Sequence, residues 1–186
     1  MRKDFGVKPW IYPQPVLIIA TYGKDGTPDA MNAAWGCMGE SNKIFVCLDS
    51  GHQTTANILE RKAFTVSMGE GAQAVACDYV GLVSGKDVPD KMEKAGFHTT
   101  KSAFVDAPLI DELALALECR LESYDPETCR LIGEIVNISI DDRVLTEDGK
   151  IDIKKLDPIA LDPANGVYYS MGEKAAQAFC DGNKLK

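Results

Sequence analysis

From Leu113 the chain alternates without a fault: Leu113, Leu115, Leu117, Cys119 and Leu121 fall on one side, Ala114, Ala116, Glu118, Arg120 and Glu122 on the other. A period of two specifies an extended strand with one dry face. Tyr124-Asp125-Pro126-Glu127 then turns the chain, and Cys129 to Ile140 runs back as a second strand. Its parity changes midway, from Leu131, Gly133 and Ile135 to Val136, Ile138 and Ile140, which predicts a bulge or burial on both faces. A ribbon this long needs more strands and a core to cover its apolar side.

The remaining sequence supplies them. Val16 to Tyr22 and Asp29 to Met38 are predicted strands around the hairpin turn Gly23-Lys24-Asp25-Gly26, and Lys43 to Leu48 is a third, fully apolar one. Thr54 to Arg61 reads as a helix capped by Thr54, followed by a strand over Ala63 to Met68. Gln73 to Val83 and Val88 to Ala95 are expected as short helices, and Asp148-Gly149 as a turn between Val144-Leu145 and Ile151-Ile153. Many short strands with brief helices predict a mainly β fold, a closed or partly closed antiparallel barrel. With 186 residues and 45% hydrophobic side chains, the chain is expected to form one domain over residues 1–186, with an irregular lead-in over 1–14 and a tail over 172–186.

Charge narrows the function. The net charge is -8, and the stretch from Asp106 to Asp162 alone holds 15 acidic against 6 basic side chains. Nucleic acid and anionic membrane both select clustered Lys and Arg, so neither is an expected partner. The aliphatic run Val16 to Ala20 is too short for a signal-peptide core or a membrane span, and cytoplasmic residence is the expectation. Six cysteines without a C-x-x-C pair read as reduced core thiols, and no metal site is expected.

Several motifs fail on context. Gly69-Glu70-Gly71-Ala72-Gln73-Ala74 has the spacing of a dinucleotide fingerprint, but the sequence after Val83 offers no second parallel strand. Gly81 to Asp87 is one residue short of a phosphate loop, and no G-x-S-x-G elbow occurs. Two features survive. Met31-Asn32-Ala33-Ala34-Trp35-Gly36 sets small residues beside an amide and an indole, where a flat ligand can approach the backbone; tight sheet packing explains the same residues equally well. Asp49-Ser50-Gly51-His52-Gln53-Thr54-Thr55 joins a strand to a helix start, either a phosphate seat or plain capping. Together they describe a flavin mononucleotide (FMN) site.

The segments Asp29 to Trp35, Phe45 to Ile58 with Thr54-x-x-Asn57-Ile58, Ala107-Pro108-Leu109-Ile110 leading to Leu117-Glu118-Cys119, and Val167 to Gly172 occur in an order that resembles the flavin reductase and flavoredoxin family of FMN-binding split β-barrels. The resemblance implies a homodimer, with Asn32, Ala33, Ala34 and Trp35 lining the ring of FMN and Ser50, His52 and Thr54 at its phosphate. It further implies that Lys101 reaches the ribityl or phosphate group and that Tyr169 helps close the site. The chain departs from the family where His52 stands in place of a Lys or Arg, which weakens the positive charge near neutral pH. The implied activity is an NAD(P)H-dependent flavin reductase, in which the flavin carries the chemistry and no side chain is catalytic. The alternative is a flavoredoxin-like electron carrier reduced by a protein partner, for which the acidic stretch offers a surface.

Overall fold

The computed structural model describes residues 1–185. The strands are β1 (Gln14–Pro15), β2 (Leu17–Tyr22), β3 (Pro28–Ala33), β4 (Gly36–Glu40), β5 (Lys43–Cys47), β6 (Ala63–Met68), β7 (Thr99–Lys101), β8 (Pro108–Ile110), β9 (Leu115–Asp125), β10 (Arg130–Ile140), β11 (Ile159–Asp162) and β12 (Val167–Ser170). The helices are α1 (Gln53–Arg61), α2 (Ala74–Leu82), α3 (Lys91–Ala95) and α4 (Ile153–Leu156). Seven strands form one sheet in the order β3-β2-β6-β9-β10-β5-β4, and every pairing in it is antiparallel. Its two edge strands, β3 and β4, are consecutive in sequence with only Ala34 and Trp35 between them. Two residues between them leave three Cα–Cα steps, about 11 Å at most, so the sheet has to roll until the end of β3 lies near the start of β4.

The rolled sheet encloses one core and lays a second against its outer face. Leu17, Ile19, Phe64, Val66, Leu117 and Leu131 pack inside it. Ile18, Ala20 and Ala30, which point outward from β2 and β3, are covered by Cys77 and Val80 of α2 and by Met92 and Phe97. Burial on both faces explains the unbroken apolar run in β2, and each such Leu or Ile contributes about 1.5–3 kcal/mol of transfer free energy. The β9–β10 ribbon is interrupted between Ile132 and Gly133 and again between Ile135 and Asn137, the second being the predicted parity change. A Cβ at Gly133 would run into the Phe64 ring, so the missing side chain lets that ring fill the barrel.

Four expectations need correction. The strand expected over Asp29 to Met38 is two strands, because the turn from one sheet edge to the other falls within it. The strand at Lys43 is not fully apolar in setting: Ile44 and Val46 are buried, Phe45 is half-buried and Cys47 is exposed. The thiols are not all core. Cys77 and Cys119 are buried, and burial pushes them up to about 11 and about 12, whereas Cys37, Cys47 and Cys180 are exposed. The lead-in expected to be irregular over 1–14 does not run that far, because Gln14–Pro15 pairs with β11. In the tail, residues 181–185 form a 3-10 turn, while Lys186 lies outside the described residues.

A buried ion pair and a buried carboxylate tie the layers together. Lys91 of α3 and Asp29 of β3, each almost wholly buried, stand 2.8 Å apart. Glu118 on β9 is fully buried, its carboxylate accepting hydrogen bonds from Ser102, Ser139 and Asn137. Ser102 in turn accepts from the backbone N–H groups of Phe104 and Val105, so this carboxylate pins the loop between β7 and β8. Burial alone would raise the Glu118 carboxyl, but its three donors hold it below the usual range. A carboxylate with a lowered folded-state pKa contributes stability above the unfolded value near pH 4.3, and loses it as pH falls through the folded value. Urea midpoints are therefore expected to drop below about pH 4.5, and Glu118→Gln to cost about 1–3 kcal/mol at pH 7 with a shallower acid dependence. Parallel pH curves for the two proteins would overturn this assignment.

Candidate functional site

Where the sheet edges approach, β3, the Ala34-Trp35 link and α2 enclose a cleft of about 320 Å³. Its walls include Asn32, Ala33, Ala34, Trp35, Cys47, His52, Asp78, Gly81 and Tyr168. The link is held on both sides: Gln14 donates its amide N–H to the Ala34 carbonyl, and Cys47 N–H donates to the Trp35 carbonyl at 2.7 Å. Trp35, 45% exposed, stands with its indole beside the opening rather than packed in the core. On α2, Cys77 and Val80 face the core while Asp78, Gly81 and Leu82, three and four residues apart, face the cleft. A Cβ at Gly81 would come within 2.8 Å of the Asn32 Cβ, so glycine lets the helix lie against β3.

A second cleft, about 240 Å³, continues the first past Met31, His52, Gly81 and Leu82 to the start of α1. His52, not Thr54, is the N-cap of that helix; its side chain makes no capping bond, and the first turn holds no acidic residue. Asp49 bends the preceding turn instead, accepting from Gly51 N–H at 2.8 Å through its carboxylate and from the Thr55 hydroxyl at 2.8 Å through its carbonyl. The result is a helix start with donor N–H groups and a favourable dipole directed at the cleft. Lys86, from the loop after α2, reaches the same turn and donates to the Gly51 carbonyl at 3.2 Å.

The residues singled out from the sequence separate into three groups. Asn32, Ala33, Ala34, Trp35 and His52 come together in one cleft. Ser50 lies exposed in the turn, and Thr54 borders the second cleft through its backbone, because its hydroxyl donates to Asp29 at 2.6 Å. Lys101 and Tyr169 stand outside the cleft. Lys101 pairs with Asp106 at 3.0 Å, as does Arg61 at 3.2 Å, which puts it at the far end of α1, about 13 Å of helix from His52. Tyr169 points away, 58% exposed, and its neighbour Tyr168 takes the wall position because alternate residues of β12 face opposite ways.

Sequence reasoning missed Tyr168, Asp78, Gly81 and Lys86. Parity along β12 carried a hint of the first, but the other three are brought in by tertiary contacts. The Tyr168 hydroxyl donates to Asp78 at 2.8 Å and receives Asn32 Nδ2 at 3.3 Å, and burial with the Asp78 bond pushes it up to about 12. Among the described residues no group of His, Cys, Asp and Glu gathers to hold a metal ion.

Comparison with known proteins gives this arrangement a context. A model of the flavin reductase like domain matches residues 11–168. The flavoredoxin of Desulfovibrio vulgaris (Miyazaki F) superposes with a TM-score of 0.93 at 36% identity, covering 98% of this chain and 100% of its own. The flavoredoxin of Methanosarcina acetivorans does so at 0.88 and 28%, over 100% of both chains. An FMN-binding domain of a flavin reductases-like enzyme from Shewanella baltica shares the fold at a TM-score of 0.78 and 22% identity, over 88% of this chain and 89% of that one. An uncharacterized protein of Aquifex aeolicus (strain VF5) is 27% identical over 171 residues, 86% of this chain and 84% of its own. The expected mainly β split barrel is what these superpositions and the rolled seven-stranded sheet give. With the match running through nearly the whole ordered body, the chain belongs to the flavin reductase like domain family.

Proposed function

We propose that this protein binds FMN and acts as a flavin-dependent oxidoreductase, reduced by NAD(P)H. One observation carries the reading: a cleft with a small-residue floor adjoins, across Met31, His52, Gly81 and Leu82, a second cleft at a helix start without a side-chain cap, and Lys86 from the loop after α2 reaches the turn before that helix. Ala33 and Ala34 allow a ring close to the backbone, Trp35 flanks it, and Asn32 offers it an amide. Ser50, His52, the first-turn N–H groups through Thr54, and Lys86 suit a phosphate. Lys86 adds a positive charge beside that turn. When bound, FMN supplies the electron chemistry, and the chain's residues have only to hold it with one face open.

A second reading is favoured by the likeness to two flavoredoxins, at 36% and 28% identity. In it the protein is an electron carrier served by a redox protein. The acidic stretch is less available for such a partner than its composition suggests, since Glu118 is buried and Asp106, Asp141 and Asp148 are paired with neighbouring cations. Homodimerisation belongs to the proposal too. The apolar face of the β9–β10 ribbon offers it little, because Leu117, Cys119 and Leu131 are buried within the chain; its support lies in exposed apolar side chains such as Trp35, Met38, Phe104 and Ile138. Cytoplasmic residence is likewise proposed, and among the described residues no helix is long and apolar enough to cross a membrane.

Mixing the FMN-loaded protein with NADH and with NADPH in a stopped-flow instrument is expected to bleach the flavin within seconds; bleaching only by a low-potential protein donor would favour the carrier. Lys86→Gln should raise the FMN Kd by about fivefold at low salt, less at high salt, and leave riboflavin, which lacks the phosphate, unaffected. Sedimentation of the loaded protein should give about twice the 20.2 kDa chain mass, and a 20 kDa species would overturn the dimer.

A further inference from the structure

The Asn32 amide belongs to a hydrogen-bond chain whose direction is fixed from outside. The Asp78 carboxylate can only accept, so the Tyr168 hydroxyl donates to it at 2.8 Å. With its proton committed there, that hydroxyl can only accept from Asn32, at 3.3 Å. The Cys77 carbonyl, also an acceptor only, takes Asn32 Nδ2 at 3.1 Å. Both partners therefore demand the N–H side of the amide, and rotating it would set Oδ1 against a carbonyl oxygen and an oxygen lone pair. Asn32 Oδ1 accepts no hydrogen bond from any described residue, although Asn32 borders the cleft and that oxygen is not sealed in the interior.

We infer that Asp78 and Tyr168 are positioning residues that lock the Asn32 amide with its oxygen toward the cleft, so that the site selects a planar ligand carrying a ring N–H. The inference rests on the flavin reading above and refines it. On the isoalloxazine ring of oxidised FMN the one N–H is at N3, and Asn32 Oδ1 is its acceptor. Tyr168 remains protonated through the working pH range, since its hydroxyl is pushed up to about 12 by burial and by the Asp78 bond.

The test compares FMN with 3-methyl-FMN, which lacks that N–H, by titrating the flavin-free full chain and reading flavin fluorescence. Wild type should bind FMN about fivefold more tightly, the factor expected for one neutral hydrogen bond of ~1 kcal/mol. Tyr168→Phe and Asp78→Ala should each cut that preference by at least about twofold, with unfolding temperatures checked to separate loss of fold from loss of orientation. Should Tyr168→Phe not fold, Asp78→Ala, on the cleft side of α2, carries the comparison. Equal affinities of wild type for the two flavins would overturn the inference and leave the flavin reading intact. A preference that neither variant changes would overturn the positioning role. No binding of FMN at all would instead overturn the proposed function.

Discussion

Everything in this fold follows from a two-residue step. Because Ala34 and Trp35 alone connect the two edges of a seven-stranded sheet, the sheet cannot lie open. Rolling it up creates an interior that Phe64 fills only because Gly133 has no side chain. The same step turns the backbone out of the sheet at Ala34 and Trp35, and the candidate cleft opens beside that link, walled by the end of β3, by Cys47 and by α2. Backbone that in a flat sheet would sit in a ladder is here turned toward a ligand, with Gln14 and the Cys47 amide holding it in place.

A buried carboxylate sets the spacing between the two halves of the cleft. Asp29, on the strand that carries Asn32, accepts from Thr54 at 2.6 Å and from Asn57 at 3.4 Å on α1, and faces Lys91 of α3. The start of α1 is thereby fastened to the floor on which a ring would rest. Burial of such a pair rarely adds net stability, and its better-attested service is to specify one arrangement over its neighbours. Here that arrangement brings an anion seat beside a flat platform.

How much was legible beforehand depended on how local each cause is. The β9–β10 ribbon and its irregularity could be read directly, because a period of two and its reversal are written residue by residue. The break between β3 and β4 could not, since small residues allow a strand and only closure of the sheet interrupts it. Thr54 has the chemistry of a cap, yet its hydroxyl is drawn to a carboxylate 25 positions away, and His52 takes the cap position instead. Asn32 to Trp35 stood out because one short stretch holds them all. Asp78 has no mark of its own in the sequence, and Lys86 showed only as the lysine of the failed phosphate-loop match from Gly81 to Asp87, so tertiary contact alone brings them to the site. Tyr168 rather than Tyr169 turns inward through its register against β11, a partner that sequence spacing does not reveal.

The division among the cysteines has a practical side. Cys77 and Cys119, sealed in and held as neutral thiols, are shielded from oxidants and alkylating reagents. Cys37 and Cys47 lie open on the outer face of the β4–β5 hairpin, and Cys180 lies open in the tail. Storage in air would accordingly cross-link molecules through the hairpin and the tail without disturbing the interior, and because Cys47 also borders the cleft, such covalent aggregates would lose ligand access while still looking folded by circular dichroism.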